Sequence, residues 1–505
     1  MQTKSMSQGL RNTIFLGVTG VFLWACSQTG EPPAQNPLHI PPLLDTKGGQ
    51  GVELTLRRAT HTFYPDIESQ TMGINGSYLG PTVRLHQGST ANVSFMNELG
   101  EPTTIHGHGL HVRGGIDGGP QLAIESGEAW RIAIPVAQQA GTSWYHPHLM
   151  GKTAEHVYKG LAGLYIIEDE NSKRLDLPKR YGVDDLPVVI QDRRFSDGKL
   201  LDYEPTPQDM MDGYRGDTLV VNGTIDPFVE VPEGWVRLRL LNGSNARFYT
   251  FSLGDDEVIY KIATEGGFLK APIAITALTM APGERNEVLV DMRGRNEISL
   301  NAELLSADPE DQLPIFKNPV RRVLELRVDP ELDPGGSLPE ELNTIAGFSE
   351  EEIDGAKKRS FYLGMDDDQI EKAVASHDHH NMFTVNGKSM DLTRIDERVA
   401  LGELERWTLT AEMMPHPFHV HGVSFLILEH HGREPAEADR GWKDTVVISE
   451  EPTTVLMRFH HEATEQTPYM YHCHILEHED GGMMGQFTVQ QPVIVVELAK
   501  KRPHF

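Results

Sequence analysis

The chain has 505 residues, a formal net charge of −28 at pH 7 and 39% hydrophobic residues. A chain of this length is too long for one hydrophobic core, which predicts two to four domains. The negative charge argues against a nucleic-acid partner, because phosphate binding requires a basic surface.

The N-terminal segment, residues 1–26, is predicted to be an export signal. Lys4 and Arg11 give it a positive start, and residues 13–25 form an apolar run too short to span a bilayer as a mature helix. The sequence LWAC ends at Cys26 and resembles a bacterial lipobox, in which the cysteine carries the lipid. Ordinary cleavage near this point is the alternative. In both cases the mature chain is expected in the periplasm or outside the cell, membrane-anchored if Cys26 is lipidated.

One sequence pattern occurs three times, beginning at Asn75, Asn222 and Asn386. Each copy has an Asn-Gly pair, an alternating segment, a glycine turn and a second alternating segment. Short alternating strands with turn residues, repeated at domain-sized intervals, predict an all-β chain of three tandem β-sandwich domains.

The domain boundaries follow from these repeats. We place the first domain at residues 40–170, the second at 171–338 and the third at 359–505. Helical patterning is rare, and its clearest case is the acidic amphipathic stretch at residues 339–358, which predicts a linker helix.

Histidines separated by one residue occur in four clusters. Residues two apart on a β-strand project from the same face, so each pair can present two imidazoles to one site. The clusters contain His106 and His108, His146 and His148, His416, His419 and His421, and His472 and His474. All of them lie in the first and third repeats. This predicts an interface between those domains that holds several metal ions, with the second domain as a spacer.

The sequence HCHILEHEDGGMM adds a thiol and a thioether to the histidines. On a strand, Cys473 points to one face while His472 and His474 point to the other. Cys473, His416, His478 and Met483 supply the thiolate, two imidazoles and weak axial thioether of a blue-copper centre. Zinc is the competing metal, but a structural zinc site requires a closed tetrahedral shell and makes no use of a thioether.

Eight histidines remain after this site is assigned. They are His106, His108, His146, His148, His419, His421, His472 and His474. Eight imidazoles can hold three further copper ions. A total of four copper ions matches the four electrons needed to reduce O₂ to water.

These motifs resemble those of the multicopper oxidases over nearly all of the chain after the signal. The resemblance is strongest to the laccase-like, three-domain bacterial cuprous oxidases of periplasmic copper tolerance. It implies three cupredoxin-like Greek-key domains. It also implies type 1 copper at His416, Cys473, His478 and Met483, type 2 copper at His106 and His419, and a type 3 pair at His108, His146, His148, His421, His472 and His474.

Two carboxylates match proton-relay groups of that family. Asp117 corresponds to an aspartate beside the type 2 site, and Glu479 corresponds to a glutamate that delivers protons toward the type 3 pair. Reduction of O₂ consumes protons, so a buried centre needs such carriers. The alternative is that both are ordinary loop carboxylates.

A substrate copper site is also implied by the resemblance, at Asp333, Glu412 and Met414. Val328 stands where the family has a methionine, and the usual Met-rich insert is replaced by an acidic region. The histidines of that region, His377, His379 and His380, can bind copper or be simply solvated. The alternative for Met414 is a place in the core, with Glu412 as a solvated charge.

Three functions are therefore open. The first is a cuprous oxidase of periplasmic copper tolerance, and the second is a laccase-like oxidase of phenols or other organic reductants. The third is a copper-binding or electron-transfer protein without oxidase turnover. The filled ligand positions favour an oxidase over the copper-free cell-division proteins of the same fold. We expect a monomer that uses O₂ and a reducing substrate.

Overall fold

The computed structural model describes residues 34–196, 199–305, 319–366, 368–370, 372 and 381–491. The predicted signal with Cys26, and the tract with His377, His379 and His380, lie outside the described residues. Among the described helices, none is long and apolar enough to cross a membrane.

The first sandwich consists of two sheets that come from the N-terminal part of the chain. Strand β1 (Asn36–Pro37) comes before it in the chain and pairs into the middle sandwich. The strands of the first sandwich are β2 (Leu43–Asp45), β3 (Val52–Tyr64), β4 (Ile67–Ile74), β5 (Thr82–His86), β6 (Thr90–Glu98), β7 (His106–His108), β8 (Ala129–Pro135), β9 (Gly141–His146) and β10 (Gly163–Glu168). The sheet orders are β2-β5-β10-β9-β7 and β4-β3-β6-β8. Strand β9 therefore places its C-terminal end beside β7.

The middle sandwich follows. Its strands are β11 (Asp185–Phe195), β12 (Leu201–Asp202), β13 (Thr218–Val221), β14 (Thr224–Ile225), β15 (Pro227–Val231), β16 (Trp235–Asn242), β17 (Tyr249–Ser252), β18 (Ile259–Thr264), β19 (Gly267–Ile275), β20 (Leu278–Met280), β21 (Arg285–Asp291), β22 (Glu297–Leu304) and β23 (Val320–Val328). One sheet has the order β1-β15-β23-β22-β17-β20. The other has the order β14-β13-β11-β16-β21-β18-β19, with β12 paired to β11.

The third sandwich carries the cysteine motif. Its strands are β24 (Lys357–Met365), β25 (Phe383–Val385), β26 (Glu397–Ala400), β27 (Leu404–Ala411), β28 (His416–Val420), β29 (Phe425–Glu429), β30 (Thr445–Ile448), β31 (Thr453–Arg458), β32 (Tyr469–Cys473) and β33 (Met484–Gln490). The sheet orders are β25-β24-β27-β31-β29 and β26-β33-β32-β28-β30. The strand β32 thus lies in the middle of its sheet, next to β28.

A hydrophobic core lies between the two sheets of each sandwich. Strand β6 shows why, because its buried residues alternate with more exposed ones, as expected for a strand with one face in the core. Parallel pairing of β3 with β6, of β11 with β16 and of β24 with β27 joins strands that are not consecutive, as in Greek-key sandwiches. The predicted all-β fold class is confirmed.

The three repeated asparagines adopt the same conformation. Asn75, Asn222 and Asn386 have positive φ values of 55°, 49° and 53°, which asparagine tolerates better than most residues. Each side-chain oxygen accepts a hydrogen bond from a backbone N–H of β3, β11 or β24. Each side-chain amide donates to the carbonyl that lies two residues before that N–H on the same strand. The sequence repeat therefore corresponds to a repeated turn that is tied to its neighbouring strand.

The helices are short. They are α1 (Thr153–Tyr158), α2 (Glu170–Arg174), α3 (Pro207–Asp212), α4 (Glu350–Gly355) and α5 (Leu476–Asp480), with 3₁₀ turns at Lys47–Gly49, Gly114–Ile116 and Glu437–Asp439.

The prediction of a linker helix over residues 339–358 is wrong in extent, because only α4 is helical there. Ser349 and Glu352 form a capping box that fixes where α4 begins. Before it, the backbone N–H of Leu342 donates to the carbonyl of Lys270, so the chain is held against the middle sandwich. After it, Lys357 enters the ladder between β24 and β27.

Candidate metal centres

The sulfur site is formed by His416, Cys473 and His478, and it lies in the third sandwich. Strands β28 and β32 are antiparallel neighbours, which brings the beginning of β28 close to the end of β32. The chain then turns into α5, which carries His478. The three ligand atoms lie close together: His416 Nδ1 is 3.4 Å from Cys473 Sγ and 3.3 Å from His478 Nδ1, and Cys473 Sγ is 3.7 Å from His478 Nδ1.

These separations suit a metal at the centre of the triangle. Metal–nitrogen and metal–sulfur bonds of about 2.0–2.3 Å in a trigonal plane place the ligand atoms roughly 3.6 Å apart. Met483 is fully buried in the same core cluster, and its carbonyl accepts a hydrogen bond from the backbone N–H of Cys473. Met483 therefore lies on the segment paired with Cys473, and its thioether would be available as a further ligand.

Hydrogen bonds around the sulfur site hold its ligands in position. His478 Nε2 donates to the carbonyl of Met211 at 2.9 Å, which leaves Nδ1 free to face Cys473. The backbone N–H of Ile475 lies 3.4 Å from the sulfur of Cys473. Burial raises the pKa of the Cys473 thiol, so a bound cation is needed to favour the thiolate. Burial lowers the pKa of His416 to about 4, which keeps this imidazole neutral and able to bind metal.

The eight remaining histidines form one buried group, here called the histidine cluster. Their side chains come from β7, from the end of β9 and the turn after it, from β28 and the residue after it, and from β32 and the residue after it. Strand β7 pairs with β9 so that His106 is opposite His146, and β28 pairs with β32 so that His419 is opposite His472. All eight have no solvent-exposed surface. The first and third sandwiches contribute four each.

The ligand atoms fall into groups within 4.8 Å of one another. These groups are His108, His146 and His474; His148, His421 and His472; His106, His419 and His421; and His108, His419 and Asp444. The first two groups use six different histidines. They leave His106 and His419, which is the partition that the sequence resemblance implies.

The donor set of the histidine cluster fits a metal. His106, His419 and His421 each hydrogen-bond through Nδ1, to the carbonyl of Asp117, to the carbonyl of Asp444 and to Asp117 Oδ2 at 2.7 Å. Such bonds fix the tautomer and leave Nε2 unprotonated. Among the described residues, nothing hydrogen-bonds to Nε2 of His106 or His419, although both atoms are buried. Buried polar atoms rarely lack a partner, so these two indicate a ligand.

The charge state of the histidine cluster also suits metal binding. Burial lowers the pKa of His146 and His148 well below the usual range, and the neighbouring imidazoles lower it further. The same causes act on His421 and His472. The imidazoles are therefore neutral near pH 7, which is the form that binds a cation.

Two of the predicted carboxylates touch the histidine cluster. Asp117 bonds to His421 and lies 3.4 Å from His106 Nδ1. Glu479 lies between two ligand histidines, with Oε1 3.2 Å from His148 Nδ1 and Oε2 3.3 Å from His472 Nδ1. Burial raises the pKa of Glu479 well above its usual range, so this carboxyl can hold a proton at neutral pH.

The middle sandwich does more than separate the other two, so the prediction that it is a spacer is wrong. Arg285 is fully buried and donates to both oxygens of Asp444, at 2.8 and 2.5 Å. Asp444 Oδ1 in turn lies 3.1 Å from His108 Nε2. A Cβ added at Gly283 would lie 2.7 Å from the ring of His474. The middle sandwich therefore packs directly against the histidine cluster.

Sequence reasoning missed Asp444 and Arg285 as residues of the site. Asp444 lies in the motif GWKDTV, which was part of the resemblance, so a signal existed for it. Arg285 has no comparable local signal, since it is a charged residue inside a buried strand and its partner lies 159 residues away.

Two of the residues predicted to bind substrate copper have different hydrogen-bond partners in the structure. Glu412 accepts hydrogen bonds from the hydroxyl of Tyr362 and the backbone N–H of Met365, at 2.6 Å each, and follows β27 near His416. Asp333 is exposed in the loop after β23, where its carbonyl accepts from Arg180. None of the described metal-type groups contains it. Val328 packs against the core of the middle sandwich.

Comparison with known sequences and structures identifies the family. The sequence signature described as multicopper oxidase matches residues 55–172 and residues 364–493. A solved structure of a bacterial laccase-like multi-copper oxidase, CueO from Ochrobactrum sp., is 39% identical with a TM-score of 0.81, and covers 90% of this chain and 100% of that one. The chain belongs to the multicopper oxidase family. Its three sandwiches are cupredoxin-like domains.

Two other relatives differ in what they are named for. The laccase from Pediococcus acidilactici is 32% identical with a TM-score of 0.77, and covers 91% of this chain and 94% of that one. The cell division protein FtsP of Xenorhabdus nematophila is 40% identical over 456 residues, which is 90% of this chain and 92% of that protein. The chain is therefore similar both to enzymes and to a cell-division protein, and the choice between these functions depends on the residues of the site.

Proposed function

We propose that this multicopper oxidase couples one-electron oxidation of a reducing substrate at the sulfur site to four-electron reduction of O₂ to water at the histidine cluster. The observation that carries the proposal is the placement of three consecutive residues. Cys473 belongs to the sulfur site, while His472 and His474 belong to two different groups of the histidine cluster. An electron accepted near Cys473 therefore has a path of one residue to either group.

The complete donor sets support a four-copper enzyme. His416, Cys473 and His478, with Met483 as axial ligand, would hold type 1 copper. His106 and His419 would hold type 2 copper, and the other six histidines would hold the type 3 pair. When bound, copper would take up electrons singly and deliver four to O₂.

Carboxylates of the chain would supply the protons. Glu479 lies close to the Nδ1 atoms of two cluster histidines, and burial raises its pKa, which favours the protonated carboxyl that would donate a proton beside the place where oxygen is reduced. Asp117 would orient His106 and His421 through their Nδ1 atoms. Both are buried, which excludes bulk water from direct contact with them.

For the substrate, we propose Cu(I) and a role in periplasmic copper tolerance. Glu412 is fixed by Tyr362 and lies beside His416, whose ring hydrogen-bonds to the Glu412 backbone. The next residue, Met413, is 67% exposed and has a φ of 64°, a conformation that a long side chain seldom adopts without a reason. A carboxylate and the thioethers of Met413 and Met414 form a donor set that suits Cu(I).

Paired kinetics test this substrate. Replacing Glu412 by Gln and Met414 by Leu should raise the KM for Cu(I) about tenfold or more, because one ligand charge and one soft donor are lost. Oxidation of a bulky phenol, with copper chelated away, should change little. Asp333→Asn is the matched control and should leave both activities unchanged. A double variant that oxidises Cu(I) as well as the parent removes this substrate site.

A laccase-like function is the second candidate. The Ochrobactrum structure is described as having oxidase activity towards lignin model compounds and lignosulfonate, and the Pediococcus structure as a laccase. Val328 stands where the family has a methionine, so Cu(I) would have fewer soft ligands than in the family's site, which favours organic reductants. A higher kcat/KM for a phenol than for Cu(I) in the parent protein would establish it.

The similarity to a cell division protein raises a non-catalytic role. The buried ligand sets of this chain support an oxidase instead, since without a metal the Nε2 atoms of His106 and His419 would be buried and unsatisfied. We propose export to the periplasm, in keeping with the N-terminal signal, and action as a monomer with O₂ and the reductant as partners. Whether Cys26 is lipidated does not alter the chemistry.

A further inference from the structure

Four methionines form a cluster outside both candidate copper sites. Met470 and Met484 are fully buried, Met390 is 4% exposed, and Met150 packs against them while remaining partly exposed. We call these residues the methionine cluster. Met150 lies two residues after the cluster ligand His148, and Met470 lies two residues before His472. The group therefore borders the histidine cluster from both the first and the third sandwich.

Strand register connects the methionine cluster to a ligand histidine. In the antiparallel pair of β32 and β33, His472 is opposite Met484 and Met470 is opposite Gln486. Opposite residues in such a pair project from the same face, and so do residues two apart on one strand. His472, Met470 and Met484 thus share one face of this sheet. The thioethers continue directly from an imidazole of the histidine cluster.

The other side of the methionine cluster is held by two glutamines. Gln121 Nε2 lies 3.9 Å from Met470 Sδ and donates to Gln486 Oε1 at 2.5 Å. Gln486 Nε2 donates in turn to the carbonyl of Arg394 at 2.6 Å, and the backbone of Met390 bonds to Gly482. The thioethers are therefore held by three separate segments of fixed backbone.

The chemistry of the group indicates a soft cation. Methionine often fills gaps in cores, because its side chain is flexible and polarisable. A filler role predicts no particular neighbour, whereas these thioethers pack together between the partly exposed Met150 and the face of β32 that carries His472. Thioether ligands select Cu(I) over harder cations, and they are uncharged and need not lose a proton to bind.

We propose that the methionine cluster binds one Cu(I) ion and transfers it to the histidine cluster when the protein is loaded with copper. The ion exchanges thioether ligands for imidazole ligands and keeps its oxidation state, so no oxidant or reductant is needed. The proposal rests on the proposed function only in that the histidine cluster holds copper. It does not depend on which substrate the enzyme oxidises.

Silver binding tests the site directly. Ag(I) is the probe, as a soft cation that the fully copper-loaded protein cannot oxidise. The background is Glu412→Gln with Met414→Leu, which removes the proposed substrate site. Bound silver per chain should fall by one when Met150, Met390 and Met470 are also changed to Leu. Leucine keeps the core volume, so each change should be tolerated by the fold. Met280→Leu/Met292→Leu/Met457→Leu, in the cores of the other sheets, is the matched control and should lose none.

A second measurement covers a cluster variant that folds poorly. X-ray absorption at the silver edge, on the background protein with one equivalent of Ag(I), should show sulfur neighbours. Only nitrogen or oxygen neighbours, or equal silver content in the cluster and control variants, would overturn the site. Failure of the proposed function would appear separately, as copper-loaded protein that consumes no O₂ while silver still binds.

Loading kinetics test the transfer. When copper-free protein receives Cu(I) under anaerobic conditions, the parent and the leucine variant should fill the sulfur site at the same rate. The variant should fill the histidine cluster several-fold more slowly, measured as copper per chain and as the spectra that appear on oxidation. Equal rates at the histidine cluster would contradict a loading role.

Discussion

The sulfur site and the histidine cluster differ in where their ligands come from. His416, Cys473, His478 and Met483 all lie in the third sandwich, on two paired strands, the helix that follows and the turn after that helix. The histidine cluster takes half of its ligands from the first sandwich and half from the third, and the middle sandwich packs against it through Arg285. The first site can form within one sandwich, whereas the second forms only where three sandwiches meet.

The two sites also differ in their surroundings. The sulfur site is lined by core residues and backbone carbonyls, and the ring of Phe383 lies 4.3 Å from that of His478. The histidine cluster is contacted by the carboxylates of Asp117, Asp444 and Glu479. Under the proposed function, the electron acceptor needs no protons but reduction of O₂ does, so the acidic groups would lie where protons are consumed.

The largest expected effect on oxidase activity comes from removing the thiol of the sulfur site. Cys473→Ser should abolish the intense thiolate-to-copper absorption and reduce oxidase activity by about 100-fold or more, because the residue is both a ligand and the connection between the sites. Metal analysis should show one copper lost per chain, with the histidine cluster still filled. Retention of the blue absorption would show that Cys473 is not a ligand.

A substitution in the middle sandwich should disrupt the histidine cluster. Arg285→Met leaves the buried carboxylate of Asp444 without its partner, which costs about 3–5 kcal/mol. Copper should be lost from the histidine cluster while the blue absorption remains. Denaturant unfolding and metal analysis measure both effects. Arg293→Met is the control, because its ion pair with Asp291 is exposed and worth about 1 kcal/mol or less. Equal effects of the two changes would remove Arg285 from the site.

Acid should destabilise the copper-free protein through the buried imidazoles of the histidine cluster. Burial lowers the folded-state pKa of His108 and His146 well below the value near 6.5 of the unfolded chain, so unfolding takes up protons and stability is lost as pH falls below 6.5. Changing both residues to Gln should make the dependence shallower, by about 2.7 kcal/mol per pH unit near pH 5.

Urea unfolding at several pH values between 5 and 7 measures this slope. The exposed pair His39→Gln/His460→Gln is the control and should leave the slope unchanged. An unaltered slope in the His108/His146 variant would mean that these imidazoles are not buried in the neutral form.

A smaller effect is expected from the proton donor. Glu479→Gln should slow reoxidation of the reduced protein by O₂ about tenfold or more, since an amide keeps the shape but carries no proton. Reduction of the sulfur site by substrate should be almost unchanged. Stopped-flow measurement of each half-reaction separates the two. Equal slowing of both would mean that α5 and His478 have been disturbed, which the exposed change Glu434→Gln should not do.

The histidine pairs could be proposed as ligands from the sequence because their geometry is local. A histidine pair on a strand shares a face whatever the rest of the fold does, and Cys473 must then face away from His472 and His474. The three sandwiches followed for the same reason, as their Asn-Gly turns and alternating strands are short-range features. The grouping of the histidines agrees with the partition that the family resemblance implied.

The sequence-based predictions failed where the structure depends on packing between residues far apart in the chain. Arg285 meets Asp444 only after two sandwiches have packed together, and no periodicity signals such a pair. The amphipathic pattern of residues 339–358 overstated the helix, because contacts with Lys270 hold the preceding residues in an irregular path.

The central claim is that two sites built in different ways act as one four-electron unit. The most direct test is to reduce the copper-loaded protein fully without oxygen, mix it with a known amount of O₂, and measure O₂ consumed, peroxide released and copper per chain. The account predicts four copper ions, one O₂ consumed per chain and no hydrogen peroxide. A protein that binds no copper, or that releases peroxide in place of water, would contradict it.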